Sequence, residues 1–195
     1  MNTFQIIGFV IWGIFYGVYF LKLILQRKKG IQTNQMGKGD KKEGTKGVEK
    51  ALYRSSFALA VIQCCSIAMG NRDLLINNTS LRLTGLGIAG LGTICFIIAI
   101  ITMRDSWRAG VDTSHQTTLI TSGIYRYSRN PAFVGFDLLY IGLAAAFPNG
   151  ILVAVSCMGI VMMHLQIREE EKALSDLFGT AYDVYKKKTP RYFLF

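Results

Sequence analysis

Residues 83–103 have the sequence LTGLGIAGLGTICFIIAIITM and contain no charged side chain. A helix needs about 20 apolar residues to cross a bilayer, and this run has that length. Four further apolar runs flank it, at residues 4–25, 51–69, 131–147 and 151–167. The sequence therefore predicts an all-α integral membrane protein with five transmembrane helices.

The composition agrees with this class of protein. Of the 195 residues, 51% are hydrophobic and 17% are charged, whereas soluble domains carry about 25% charged residues. The apolar content excludes a disordered chain. The four cysteines lie inside the apolar runs without paired CxxC spacing, so the sequence predicts no metal site.

Basic residues are distributed unevenly among the connections between the runs. Segments 27–50, 104–130 and 168–195 hold eight, four and six Lys or Arg residues, whereas 70–82 holds two and 148–150 none. Because Lys and Arg concentrate in cytoplasmic loops, the N-terminus is predicted outside and the C-terminus in the cytoplasm. The basic residues behind the net charge of +10 are thus predicted to lie at the cytoplasmic membrane surface, and no nucleic-acid partner is expected.

The chain divides into two predicted regions. Residues 1–103 form three N-terminal spans, with a basic, Gly-rich cytoplasmic linker at 27–50 that is expected to be mobile or, alternatively, to contact anionic lipids. Residues 104–195 form the second region. There, Pro-Asn-Gly at 148–150 is turn chemistry, so the last two spans are predicted to form a helical hairpin at 131–167.

Three glycines of the third run, Gly85, Gly87 and Gly90, match the GxGxxG pattern of dinucleotide sites. That pattern requires a strand before it, which an uncharged span does not provide. The glycines are therefore predicted to let helices approach closely.

Two polar segments of the second region could carry chemistry. In the first, a turn signal at 121–123 precedes Asn130, which is predicted to cap the helix that begins at Pro131. Its alternative interpretation is a capped loop with Arg126 and Arg129 reaching toward lipid headgroups.

The second segment continues the fifth run as a helix through three consecutive carboxylates at 169–171. On that helix Glu170 faces the same side as Gln166 and Leu174. The alternative is a solvated helix face that pairs with nearby lysines.

These segments, LITSGIYRYSRNPAFVG and REEEKALSDLFGTAYDVYKKKTPR, resemble the C-terminal signature of the isoprenylcysteine carboxyl methyltransferase family. That signature reads LVTxGxYxxxRHPxYxG, then a short hairpin, then ExxLxxxFGxxYxxYxxxxPR. The resemblance covers roughly residues 104–195. The SWRAGVD stretch at 106–112 is similar to that of the family's prokaryotic members.

The resemblance implies a membrane methyltransferase that uses S-adenosyl-L-methionine and acts on the carboxylate of a prenylated cysteine or a similar lipophilic substrate entering from the bilayer. It implies Glu170, Gln166 and Arg168 as catalytic residues. The implied cofactor-binding residues are Trp107, Arg108, Thr117, Thr118, Leu119, Ile120, Tyr125, Asn130, Pro131, Ala132, Phe133, His164 and Glu170.

This chain departs from the family pattern on the substrate side. Asn130 stands where the family has His before Pro, and Phe133 stands for a Tyr. Gln166 occupies the position of an Arg, with His164 and Arg168 nearby as substitutes.

Three alternatives stay open on sequence grounds. The first is N-methylation of a phospholipid amine, and the second is a reductase that shares the C-terminal motif. The third is a small transporter or scaffold without catalytic activity. The oligomeric state and the natural acceptor are not predicted.

Overall fold

The structure, a computed structural model, describes residues 1–38, 41–72, 74–110 and 118–193. Every secondary-structure element assigned in the described part is a helix, and the one backbone pairing of β type there is an isolated bridge between Asn34 and Ala109. Two 3₁₀ helices, Arg104–Ser106 and Gly123–Arg126, precede the fourth α-helix. The α-helices are α1 (Thr3–Lys28), α2 (Glu43–Met69), α3 (Thr79–Met103), α4 (Pro131–Ala146), α5 (Gly150–Phe178) and α6 (Thr180–Lys188). The prediction of an all-α chain is confirmed.

Four of these helices, α1, α2, α3 and α5, are long and apolar enough to cross a membrane. Helix α4 is apolar but has 16 residues, which gives a length of about 24 Å against a hydrocarbon core of about 30 Å. It ends before Pro148 because a residue that precedes proline disfavours the helical conformation. The described residues therefore contain four candidate spans, and the five-span topology stays a prediction.

Helices α4 and α5 are joined by residues 147–149 and contact each other, as the predicted hairpin requires. The Asn149 side chain begins α5 by accepting a hydrogen bond of 2.9 Å from the backbone N–H of Leu152. Asparagine is among the best residues for this N-cap position. The turn chemistry seen in the sequence thus fixes where the second helix of the hairpin starts.

Glycines bring α3 and α4 into close contact. A Cβ atom on Gly85 would lie 2.6 Å from the carbonyl oxygen of Gly142, so neither position accommodates a side chain. Gly92, which lies about two helical turns further along α3, makes a similar contact with α4. The predicted close approach is confirmed at Gly85, but Gly87 and Gly90 have open space around them, because they lie on another face of the helix.

The predicted linker at 27–50 is shorter and better anchored than its composition indicates. Helix α1 extends to Lys28 and α2 begins at Glu43. Between them, the Gln35 N–H donates to the Ala109 carbonyl at 2.9 Å, and the Ala109 N–H donates to the Thr33 carbonyl at 2.9 Å. These paired hydrogen bonds attach the segment to the loop that follows α3.

An ion pair holds the same segment from its other end. The Lys41 Nζ atom lies 2.8 Å from a carboxylate oxygen of Glu49, and both side chains are buried. Glu49 also accepts a hydrogen bond from the Gly37 N–H at 2.7 Å. A Gly- and Lys-rich composition resembles that of flexible linkers, which is why the sequence alone did not reveal this anchoring.

Aromatic side chains fill the centre of the helix bundle. The Phe15 and Phe96 rings are fully buried and stack with centroids 4.4 Å apart. Phe136 from α4 meets both of them edge-on, at 4.8 and 5.0 Å. Tilted aromatic pairs of this kind stabilise a core beyond their buried area. Phe96 and Phe136 of this cluster also line an internal cavity.

Candidate active site

A cavity lies between the loop that precedes α4 and the second half of α5. Of the residues predicted to form the site, most that are described contribute to its wall. They are Trp107, Arg108, Thr118, Leu119, Ile120, Tyr125, Asn130, Ala132, Phe133 and Glu170. Residues far apart in the chain, from 107 to 170, are thus brought together as the resemblance implies. Thr117 lies outside the described residues.

The loop that lines this cavity is held by Tyr125 and helix α6. The predicted turn at 121–123 leads into a 3₁₀ helix, and Gly123 adopts a positive φ of 60°, which favours glycine. The Tyr185 hydroxyl donates a hydrogen bond of 2.6 Å to the Tyr125 carbonyl. Burial raises the pKa of Tyr185 to about 12, so the hydroxyl keeps the proton that this bond needs at neutral pH.

Asn130 occupies the N-cap position of α4, but its side chain makes no capping hydrogen bond. The predicted capping by this side chain is therefore wrong. Its Nδ2 atom instead donates to Glu171 Oε1 at 3.1 Å and to the Arg191 carbonyl at 3.3 Å. Pro131 is the first residue of the helix, as predicted. The buried carboxylate of Glu171 attracts the amide away from the helix end.

Glu171 is the centre of a buried ionic cluster that we call the clasp, formed by Arg129, Asn130, Glu171 and Arg191. One carboxylate oxygen accepts from Arg129 Nη2 at 2.9 Å, and the other accepts from Arg191 Nη2 at 2.7 Å. These bonds raise the pKa of the Arg191 guanidinium. The clasp connects the cavity loop, α5 and the C-terminal segment.

Arg129 strengthens the same connection through backbone oxygens. Its Nη1 atom donates to the Thr189 carbonyl at 2.6 Å, and its own N–H donates to the Pro190 carbonyl at 3.0 Å. The alternative interpretation of Arg129 as a side chain extended toward lipid headgroups is thus wrong, whereas Arg126 is exposed.

Sequence reasoning missed Glu171 as a site residue. The spacing signal was present, because the ExxL element of the family signature starts at Glu171 and ends at Leu174. The spacing of four residues from Gln166 predicted Glu170 as the only acidic site residue. The two neighbouring carboxylates have different surroundings in the structure.

The three consecutive carboxylates point in three directions because successive residues of an α-helix are about 100° apart. Glu169 accepts from Thr45 Oγ1 at 2.6 Å and pairs with Lys172 at 2.7 Å. Glu170 lines the cavity and accepts from Gln166 Nε2 at 3.0 Å. The predicted shared face of Gln166 and Glu170 is confirmed. The alternative prediction, that the three carboxylates pair with nearby lysines, holds for Glu169 but not for Glu170 or Glu171.

Three further predicted residues, Arg168, His164 and Pro131, do not line the cavity. Arg168 is exposed and lines a separate surface depression, because it is two residues from Glu170 and so faces roughly the opposite side of α5. His164 Nδ1 lies 2.6 Å from the Tyr192 hydroxyl. Neither side chain substitutes within the cavity for the Arg that the family has at Gln166. Pro131 is buried behind the wall, with its carbonyl 3.2 Å from Cys95 Sγ.

A second cavity adjoins the first and is mainly apolar. Its wall comes from α1 to α5 and the segment after α3, and includes Tyr19, Leu52, Phe57, Phe136 and Met163. Six residues line both cavities: Trp107, Arg108, Gly110, Ala132, Phe133 and Glu170. The two cavities therefore meet at a boundary that carries one carboxylate and one guanidinium.

These features define an all-helical membrane protein with a partly polar cavity joined to an apolar one. Residues 81–181 match the family model described as PEMT, phospholipid methyltransferase. This match covers more than half of the chain, and the chain belongs to that family.

Curated relatives specify the resemblance further. The chain is 32% identical to the protein-S-isoprenylcysteine O-methyltransferase of Xenopus laevis over 115 residues, which are 57% of this chain and 40% of that protein. It is 33% identical to the human protein of the same name over 116 residues, which are 57% of this chain and 40% of the human protein. For the Saccharomyces cerevisiae protein the identity is 27% over 144 residues, which are 70% of this chain and 60% of that protein.

The predicted resemblance to the isoprenylcysteine carboxyl methyltransferases is thereby confirmed. The matches span about 40% to 60% of the length of these three relatives.

Proposed function

We propose that this protein transfers a methyl group from S-adenosyl-L-methionine to the carboxylate of a prenylated cysteine or a closely similar lipophilic acid. The observation that carries the proposal is the boundary between the two cavities. The partly polar cavity lined by the motif residues meets the apolar cavity at Phe133 and Glu170. Donor and acceptor could therefore meet without leaving the bundle. The names of the relatives agree with this acceptor.

The residues of the first cavity suit S-adenosyl-L-methionine. Trp107, Tyr125 and Phe133 offer aromatic faces, which attract cations such as a sulfonium. Arg108 offers a guanidinium for the amino-acid carboxylate of the cofactor. Thr118, Leu119 and Ile120 contribute the part of the wall expected to receive the adenosyl group. When bound, the cofactor supplies a methyl group on a positively charged sulfur.

The second cavity suits the lipid part of the acceptor. Its apolar wall, with Phe57 and Met163 among its residues, would bury a prenyl chain through the hydrophobic effect. The acceptor carboxylate would then lie at the shared boundary near Glu170 and Arg108. A terminal carboxylate has a pKa near 3.5 and is ionised at pH 7, so it requires no base.

The chain's main contribution to the reaction is alignment. Well-oriented reacting groups can reach effective molarities of about 10⁵ to 10⁸ M. We assign Glu170 as the residue at the boundary that contacts the reacting groups, and Gln166 as the residue that orients it through the 3.0 Å hydrogen bond. Closure of the wall by the clasp would exclude water from this boundary.

The proposal includes an arrangement in the membrane. With α4 counted as a fifth span, the basic segments all fall on one side, and the site would face the cytoplasm with the N-terminus outside. The bilayer and the lipophilic acceptor are the proposed partners. The basic excess also favours contact with anionic lipids.

A methyl-incorporation assay tests the proposal. Purified full-length protein is incubated with labelled S-adenosyl-L-methionine and either a farnesylated cysteine or phosphatidylethanolamine. We expect base-labile label on the farnesylated cysteine, since a methyl ester hydrolyses in base. Base-stable label on the phospholipid, or incorporation into neither acceptor, would contradict the proposal.

A further inference from the structure

A shallow depression lies outside both cavities, on the surface formed by the far end of α5 and the segments around it. Five cationic side chains from four parts of the chain converge on it: Lys42, Arg168, Lys172, Lys186 and Arg191. Two acidic side chains, Glu171 and Asp176, also contribute to the wall. The formal charge of the wall is therefore positive, although Lys172 is paired with Glu169 at 2.7 Å.

Glu171 offsets part of the charge of Arg191, because its carboxylate is shared between two guanidinium groups. Its carboxylate is buried and binds Arg191 with one oxygen and Arg129, which is outside the depression, with the other. The same bonds hold the Arg191 guanidinium in place, and Arg191 remains one-third exposed. An anion entering the depression would therefore meet a guanidinium whose orientation is already fixed, which lowers the entropic cost of binding.

The position along α5 indicates where such an anion would come from. Arg168 and Lys172 follow the apolar run 151–167 directly. At 1.5 Å per residue they lie within about 8 Å of its end, which is the depth of the lipid headgroup layer. The phosphates of neighbouring lipids lie at that depth.

We propose that this depression binds the phosphate group of an anionic membrane lipid such as phosphatidylglycerol. The bound phosphate contacts Arg191 and is surrounded by Lys42, Lys172 and Lys186. Because Arg191 is bonded to Glu171, and Glu171 to Asn130 in the cavity wall, the lipid supports the clasp from outside. The depression is separate from the cavities, so the proposal does not depend on the identity of the methyl acceptor.

The test measures thermal unfolding of the full-length protein in a neutral detergent, with added phosphatidylglycerol, phosphatidylcholine or inorganic phosphate. The test variant is the double substitution Lys42→Gln and Lys186→Gln. The matched control is Lys187→Gln and Lys188→Gln, which removes the same charge from exposed positions that do not line the depression.

A ligand that binds only the folded state raises the unfolding midpoint. We expect phosphatidylglycerol to raise the midpoint of the native protein and of the control, whereas phosphatidylcholine has little effect. The test variant should need about tenfold more phosphatidylglycerol for the same shift, since each basic residue near an anionic surface contributes measurably to lipid binding. Equal losses in both variants, or equal effects of both lipids, would overturn the proposal. A full shift with inorganic phosphate alone would overturn the lipid as the occupant.

Discussion

At the residue scale, Glu171 and Glu170 are neighbours with different partners. Glu171 is bound by two guanidinium groups and an amide, whereas Glu170 faces the cavities and is bound by Gln166. One turn of a helix can therefore hold neighbouring segments together with one carboxylate and expose the next one to the cavities. Glu169 differs again, because its pair with Lys172 lies at the surface.

The substitution Glu171→Gln should destabilise the protein by about 3 kcal/mol. Removing one partner from a buried ion pair leaves uncompensated charge, here on Arg129 and Arg191. Glu169→Gln serves as the control and should change stability by less than about 1 kcal/mol, because its partner Lys172 is largely exposed and glutamine keeps an oxygen that accepts from Thr45. Chemical unfolding in detergent micelles measures both. Equal losses would contradict the role given to the clasp.

The substitution Glu170→Gln should reduce methyl transfer about 100-fold while leaving the unfolding midpoint nearly unchanged. Misplacement of groups at a reacting centre can have an effect of this size. The assay of labelled methyl incorporation gives the rate, and Glu169→Gln is again the matched control. A rate for Glu170→Gln equal to that of the native protein would remove this residue from the proposed chemistry.

At the element scale, the α3–α4 pair shows what a pattern can and cannot reveal. The glycines of the third run indicated close helix contact, and Gly85 makes it. Which glycines face the neighbour depends on the register between two helices, and that register is a property of the folded bundle. For this reason the pattern could not separate Gly85 from Gly87.

The substitution Gly142→Ala should lower the unfolding midpoint, with a loss of about 1 to 3 kcal/mol from overpacking. Its Cβ atom would overlap the backbone nitrogen of Ala89 and the carbonyl of Gly85. Gly87→Ala, which meets open space, is the control and should leave the midpoint unchanged or raise it slightly. Thermal unfolding in detergent distinguishes the two, and an unaffected Gly142→Ala protein would contradict the packing described here.

The anchored segment between α1 and α2 is a second case that composition could not predict. Its attachment depends on backbone hydrogen bonds to Ala109 and on the buried pair of Lys41 and Glu49. Ala109 is a partner that only the fold brings near, and Glu49, although close in sequence, meets Lys41 because α2 begins between them at Glu43. Apolar runs and turn residues, in contrast, act locally, so the helices and the hairpin turn could be predicted from the sequence.

At the scale of the whole molecule, the account depends on two cavities that share one boundary. Motif residues spread from 107 to 170 predicted the first cavity, because the family signature records which positions belong together. No sequence motif predicted the second cavity. Its wall includes residues of the first two helices, such as Tyr19 and Phe57, which lie outside the matched family region.

Narrowing the second cavity should raise the KM for the proposed lipid acceptor without raising the KM for the methyl donor. Ala60 lines this cavity, so Ala60→Phe should raise the KM for a farnesylated cysteine about tenfold or more, because the larger ring occupies the space of the prenyl chain. Ala58→Phe, at an exposed position of the same helix, is the control. Steady-state kinetics give both KM values. A matching increase in the KM for S-adenosyl-L-methionine would contradict separate cavities for donor and acceptor.

The most direct test of the central claim is ultraviolet crosslinking of methyl-labelled S-adenosyl-L-methionine to the full-length protein, followed by mapping of the labelled peptides. The account predicts label within residues 103–110, 118–133 or 170–185, and loss of that label when unlabelled cofactor is in excess. Specific label confined to α1 or α2 would contradict it.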